Sequence, residues 1–282
     1  MHRLRSAVGI FATAFCAAGV ALVLLVILGY VVREGIGALS LTFVTQLPRP
    51  VGIPGGGVGN GIVGSAIIVG LAAVAAIPIG ALTGVFLTYF GRGALAATVR
   101  FLSDVLSGIP SIAIGLFAYT ALVAPLGHFS AWSAAFAFAI LMLPVIITTT
   151  ESAIKGVPRE LYESAIALGV PPHKAIIHVI LPSARAGITT GIVLAVARVT
   201  GETAPLLFTA FGSQFWELNP NNPMAELSLQ VFTYAISPYR SWHQQAWGGA
   251  LILIAAVVLM NLAARLLLRP GIGRRVRAPL AS

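Results

Sequence analysis

The chain has 282 residues, 58% of them hydrophobic and only 9% charged, with a net charge of +9. A soluble domain carries about 25% charge, so there is too little polar surface here to clothe a soluble globule. The mean hydropathy of +0.95 marks a membrane protein over nearly its whole length.

The first apolar run covers residues 8–32, with Arg3 and Arg5 before it and Arg33 and Glu34 after it. It is long enough to cross a hydrocarbon core of roughly 30 Å and too long for the core of a signal peptide. It holds the single cysteine, Cys16, which reads as a buried thiol, since no disulfide framework exists. Residues 33–60 form a loop that runs into the glycine-rich stretch 54–61. That stretch lacks the Lys and Ser/Thr of a phosphate-cradling loop and reads as a flexible lead into the second span, residues 62–90, which contains Pro78.

A short loop with Arg92 and Arg100 precedes the third span, residues 105–125, which Asp104 opens and Pro110 punctuates. Asp104 and Glu151 read as membrane-border residues. A break at 127–130, with His128 in the turn, leads to the fourth span, residues 132–150, which contains Pro144. The fifth span is expected over 186–208 and the sixth over 248–268, with a basic tail beyond it. Between them, 211–247 is a long outer segment with a helical stretch at 224–236. Its apolar face is Leu227, Val231, Tyr234 and Ala235, and Trp216, Trp242 and Trp247 suit an interfacial belt.

Six spans put both termini on one side. Thirteen of the seventeen Lys and Arg fall on that side; Arg33, Arg49 and Arg240 fall on the other, and Arg198 lies within a span. By the positive-inside rule the termini are cytoplasmic. The excess charge is therefore topological, and no nucleic-acid partner is needed to explain it.

The same orientation puts residues 151–185, a polar interlude between the fourth and fifth spans, in the cytoplasm. Within it, Gly169 followed by Pro171 and Pro172 is a helix stop. A second helical face follows at Ala175, Ile176, Val179 and Ile180. A helix, a tight turn and a helix form a shaped element, suited to docking something soluble.

The fifth span carries the intramembrane charges. Arg198 and Glu202 are four residues apart on one helix face, beside Thr203 and ahead of Pro205. A charge at mid-membrane costs about 2.5–3.5 kcal/mol and needs a partner or water. The pair reads either as a helix-holding ion pair or as the lining of a solute path, and the guanidinium fork suits an oxyanion. Pro205 cannot donate to the Gly201 carbonyl, which points to a kink there, as do Pro110 and Pro144 in their spans. No His/Cys/carboxylate cluster has metal-ligand spacing, and no nucleophile motif is present.

The interlude resembles the cytoplasmic "EAA" loop of binding-protein-dependent ABC importer permeases. Glu163, Ser164, Ala165, Gly169 and Val170 fit its first half, and Leu181 with Pro182 its end; Ser164 stands where the family usually has Ala. The segments 56–65, 104–112, 143–151 and 197–207 are similar to the phosphate-specific branch of that family, over about residues 55–268. The resemblance implies an all-α integral membrane protein of six transmembrane helices, with a coupling helix between the fourth and fifth. It implies a transport subunit of the bacterial inner membrane that is not itself an enzyme. It further implies a heterodimer with a PstC-like permease, a PstB-like ATPase dimer that carries the ATP and Mg, and a PstS-like periplasmic phosphate-binding protein. No cofactor or metal is expected on this chain.

On that reading residues 1–54 are an N-terminal helix and periplasmic loop, 55–268 the permease domain and 269–282 a cytoplasmic tail. Glu163 to Pro182 transmit force from the ATPase, and Arg198, Glu202 and Thr203 line the path. An importer permease for sulfate, molybdate or an amino acid would share the fold. A secondary transporter would need inverted repeats, and none is visible in the sequence.

Overall fold

A computed structural model describes residues 2–53 and 55–267. The expected basic tail, 269–282, lies outside them. The first helix is α1, His2–Gly35, followed by a short turn Ile36–Ala38 and α2, Leu41–Thr45. Then come α3 (Gly59–Tyr89), α4 (Gly93–Gly108), α5 (Ser111–Leu126) and α6 (Ala131–Lys155). After these follow α7 (Arg159–Ala167), α8 (Pro172–Thr200), α9 (Leu206–Thr209), α10 (Leu227–Ala235) and α11 (Arg240–Leu267). There is no strand among the described residues, only a single bridge between Phe211 and Met224. In a bilayer every backbone polar group must be satisfied within the protein, and helices do this segment by segment.

Five of these helices are long and apolar enough to cross a membrane, and the pair α4 and α5 makes a sixth span if counted together. The centre is α3, α6 and α8. Gly80 lies against Ile146 and Gly84 against Thr150, so α3 and α6 run parallel; α8 runs antiparallel, with Gly191 against Thr149 and Gly187 against Ala153. Their shared core includes Ile68 and Ala76 from α3, Phe138 and Met142 from α6, and Ala195 and Val199 from α8. A Cβ on Gly191 would overlap the Thr149 side chain, so this glycine sets how closely α6 and α8 approach. By contrast, residues 9–35 of α1 expose almost all of their side chains, and this helix meets the bundle mainly through α11, where Tyr30 stacks edge-on against Trp247 at 5.2 Å. Cys16 is exposed on α1, not buried, because this helix packs no side of that stretch against the core.

Three expectations need correction. The residues around Arg92 and Arg100 are not a loop before the third span; they flank and join α4, which meets α5 at a 105° bend. Ile109 has an extended backbone immediately before Pro110, as the proline ring requires. The fifth span begins at Pro172, not residue 186, because the second helix of the polar interlude continues into it without a stop. It also ends at Thr200, not residue 208. Pro205 heads the separate short helix α9, so it follows a break instead of kinking a continuous helix. Pro144, in contrast, is carried inside an unbroken α6.

The glycine-rich stretch is a packed crossing and not a flexible lead. A Cβ on Gly57 would meet the Phe43 and Gln46 carbonyls and one on Gly59 the Val44 carbonyl, and just beyond the stretch one on Gly64 would meet the Ala225 carbonyl, so backbone lies directly on backbone. The helix α10 falls within the stretch expected from sequence, with Leu227 and Tyr234 buried, while Ala235 is exposed.

Gly191→Val is expected to overpack the α6–α8 contact and lower stability by about 2 kcal/mol. Thermal unfolding of the detergent-solubilised protein checks this; an unchanged midpoint would contradict the close-packing account.

Candidate functional site

The candidate residues cluster at the two ends of α8. At the end of the bundle that carries Glu151, α7 closes with residue 169 in the left-handed region, φ +81°, which glycine adopts without strain. The Gly169 amide donates to the Ile166 carbonyl at 2.9 Å and the Val170 amide to the Ala165 carbonyl at 3.1 Å. This pair of bonds satisfies the last carbonyls of α7. Pro171 and Pro172 then start α8, where their missing N–H groups cost nothing.

Ala165 is buried, while Glu163, Ser164 and Leu168 are exposed, Leu168 at 83%. Tyr162 packs on Tyr89 of α3 with ring centroids 4.9 Å apart. A buried cluster of Ile154, Ile180 and Ala184, with Tyr162 against it, seats α7 on the ends of α3, α6 and α8. Of the expected coupling residues, Glu163, Ser164 and Ala165 lie on this braced helix and Gly169 and Val170 form its cap, while Leu181 and Pro182 lie on α8.

Leu181 and Pro182 lie just beyond a π-helical turn, Ile176–Ile180. Pro182 has no N–H for the His178 carbonyl and its ring crowds that carbonyl; the wider turn makes room. Ser183 Oγ donates to the Val179 carbonyl at 2.6 Å.

The second cluster lies at the break at the far end of α8. Continuing the Gly191–Thr149 register by seven residues puts Arg198 beside Met142, close to the centre of α6. Arg198 Nε lies 3.8 Å from Glu202 Oε1, an ion pair too long for a hydrogen bond, with the side chains 42% and 23% exposed. The backbone turns out of the helix here: the Gly201 amide donates to the Arg198 carbonyl and the Glu202 amide to the Val199 carbonyl at 3.1 Å. Thr200 Oγ1 donates back to the Val196 carbonyl, so it is spent within its own helix. Thr203 is partly exposed, and its carbonyl accepts from Leu206 N at 3.1 Å. Gly115 of α5 packs directly on Pro205 and braces the break.

Arg198 extends an open face of α8 that also shows Thr190 and Leu194, at helical spacing. Below it a groove of about 630 Å³ runs between α6 and α8, lined by Thr148, Thr149, Ser152, Thr190 and Leu194. The groove is open on one side and mostly apolar at its surface, with Arg198 exposed beyond it.

One functional-looking residue was missed from sequence. Glu151 is buried and accepts from Arg100 Nε at 3.0 Å and pairs with Lys155 Nζ at 2.7 Å; Arg100 Nη2 also donates to the Leu87 carbonyl at 2.8 Å. This knot ties α4 to the ends of α3 and α6. Only the Glu151–Lys155 spacing was visible in sequence; Arg100 is 51 residues from Glu151. No group of His, Cys, Asp and Glu able to hold a metal occurs among the described residues.

Residues 76–270 match the family described as the binding-protein-dependent transport system inner membrane component. The phosphate transport system permease protein PstA of Yersinia pestis is 42% identical over 237 residues, covering 84% of this chain and 80% of that protein. PstA of Xylella fastidiosa strain 9a5c is 45% identical over 239 residues, covering 84% and 83%. PstA 1 of Mycobacterium tuberculosis H37Rv is 40% identical over 227 residues, covering 80% and 73%. Among solved structures, an inward-facing conformation of the MetNI methionine ABC transporter aligns at a TM-score of 0.59 with 19% identity, over 74% of this chain and 92% of that one. That likeness concerns the fold.

Glu151→Gln is expected to lower stability by about 1 kcal/mol, since Arg100 and Lys155 are themselves solvent-screened. A denaturation series on the solubilised protein reads this; a loss no larger than that of an exposed Glu160→Gln control would contradict a role for the knot.

Proposed function

This chain belongs to the family of binding-protein-dependent transport system inner membrane components, and from that premise we propose that it is the permease subunit that carries inorganic phosphate into the cytoplasm. It is a multi-span inner-membrane subunit of an ABC importer and not an enzyme. The phosphate assignment draws on its likeness to phosphate transport permeases and on Arg198, a cation set level with the middle of α6.

The observation that carries the mechanism is the continuity of α8 from Pro172 to Thr200. At 1.5 Å per residue, the 26 steps from Pro172 to Arg198 make a rod of about 39 Å. In this reading the Glu151 end is cytoplasmic and an ATPase dimer docks on α7, with Leu168, Glu163 and Ser164 in its groove. ATP and Mg reside on that ATPase. Closing the ATPase dimer displaces α7, and α8 relays the displacement to the Arg198–Glu202 break. A second, PstC-like permease closes the open face of α6 and α8, and a PstS-like binding protein delivers phosphate at the opposite end. Residues 1–54 would then be a peripheral helix and loop outside the permease domain proper.

Arg198 offers donors to a phosphate oxyanion, and Glu202 keeps the net attraction weak. A conduit needs transient contact, because a tight site would hold its solute. Thr203 adds a partly exposed polar group beside the pair.

Arg198→Ala is expected to abolish phosphate uptake while the complex still assembles; wild-type uptake by that variant would remove Arg198 from the path. Gly169→Pro should break the α7 cap and uncouple the ATPase. Retained co-purification of the ATPase with transport-stimulated hydrolysis in that variant would contradict the docking role of α7.

A further inference from the structure

At the other end of the bundle Glu226 is buried, 1% exposed, among groups that form one continuous hydrogen-bonded chain. Ser65 Oγ of α3 accepts from Leu227 N at 2.9 Å and donates to Glu226 Oε1 at 2.9 Å. Glu226 Oε2 accepts from Leu229 N at 3.0 Å, which caps α10. Ser228 Oγ stands 2.6 Å from the same Oε2 and 3.1 Å from the Glu202 carbonyl oxygen. The chain thus runs from α3 through the head of α10 to the backbone of the break.

Counting protons decides the state of this chain. Ser228 has one O–H and two oxygens within reach. If Glu226 is ionised, Ser228 must donate to it, and the Glu202 carbonyl loses this donor. If Glu226 carries a proton on Oε2, it donates to Ser228 Oγ, and the Ser228 hydroxyl is free for the Glu202 carbonyl. Only the protonated acid satisfies every short contact. No salt bridge to Glu226 occurs among the described residues, and a buried carboxylate without a cation is costly.

We infer that Glu226 is held as a neutral acid and acts, through Ser228, as a positioning residue for the backbone that carries the Arg198–Glu202 pair. Burial pushes its carboxyl up from the ordinary value, against the lowering effect of Ser228, Leu229 and Ser65. Arg49 and Tyr234 are the other titratable groups lining the 470 Å³ cavity beside it; burial also raises the Tyr234 phenol, which keeps it neutral. The sign follows: the folded state holds this proton more tightly than the unfolded chain, so the stabilising effect is present at low pH and is lost as pH rises through the folded value. Ionisation withdraws the Ser228 proton from Glu202 and loosens the break.

The inference rests on the path assignment for its transport consequence only, so the test reads the proton separately. Infrared spectra of the purified complex in lipid at neutral pH should show a protonated-carboxyl C=O band that Glu226→Gln removes and Ser228→Ala shifts to higher frequency. Glu226→Gln should keep uptake within about threefold, since it remains neutral but gives up one of the acid's hydrogen bonds, and should lack the fall at alkaline pH that is expected of the wild type. Ser228→Ala should lower uptake about tenfold with normal assembly. No Glu226-dependent band, or a band that Ser228→Ala leaves unmoved, would overturn the inference. If the wild-type complex shows the band and takes up no phosphate, the proposed function fails and the neutral acid stands.

Discussion

The structure depends on one interruption: the backbone of α8 leaves the helix at Gly201 near the depth of the α6 midpoint. Hydrocarbon tolerates no unpaired backbone, so such a break exists only where protein covers it. Here every neighbour contributes. The turn amides of Gly201 and Glu202 take up carbonyls of the helix end, Ser228 reaches the Glu202 carbonyl, and Gly115 lets α5 close on Pro205. The side chains at the break, Arg198 and Glu202, are consequently held at a fixed height on the open side of the bundle.

The second organising feature is the rigid connection beneath it. A pendant coupling loop would dissipate a push from outside in its own flexibility. In this chain the left-handed Gly169 cap and the two prolines turn the backbone sharply, and α8 then runs without a stop to Thr200. The π-helical turn at Ile176–Ile180 is the one irregularity in that rod, placed where Pro182 forbids regular bonding. The Glu151 knot ties α4, α3 and α6 together at the same level.

Much of this was legible from residue order. Apolar runs located α1, α3, α6 and α11, because a membrane span is a local compositional signal. Gly169 with the following prolines announced the turn, and Arg198 with Glu202 announced the charged site. The merged coupling helix and fifth span was not legible: Lys174, His178 and Arg185 read as a polar loop by composition, yet polar residues continue a helix readily where it emerges from the membrane. The break at Gly201 was misplaced to Pro205 because proline is the louder signal, while the helix ends earlier, where Ser228 and α5 supply partners. The close crossing at Gly57 and Gly64 and the Arg100–Glu151 contact depend on pairings between distant segments, which no local pattern records.

The most direct test of the account is solute uptake by vesicles that contain the complete complex and ATP, with phosphate compared against sulfate and an amino acid, in the presence and absence of a proton-gradient uncoupler. ATP-dependent uptake selective for phosphate and insensitive to the uncoupler is the predicted result. Uptake that collapses with the proton gradient, or that favours another solute, would contradict the claim that α7 and α8 deliver ATPase work to a phosphate path.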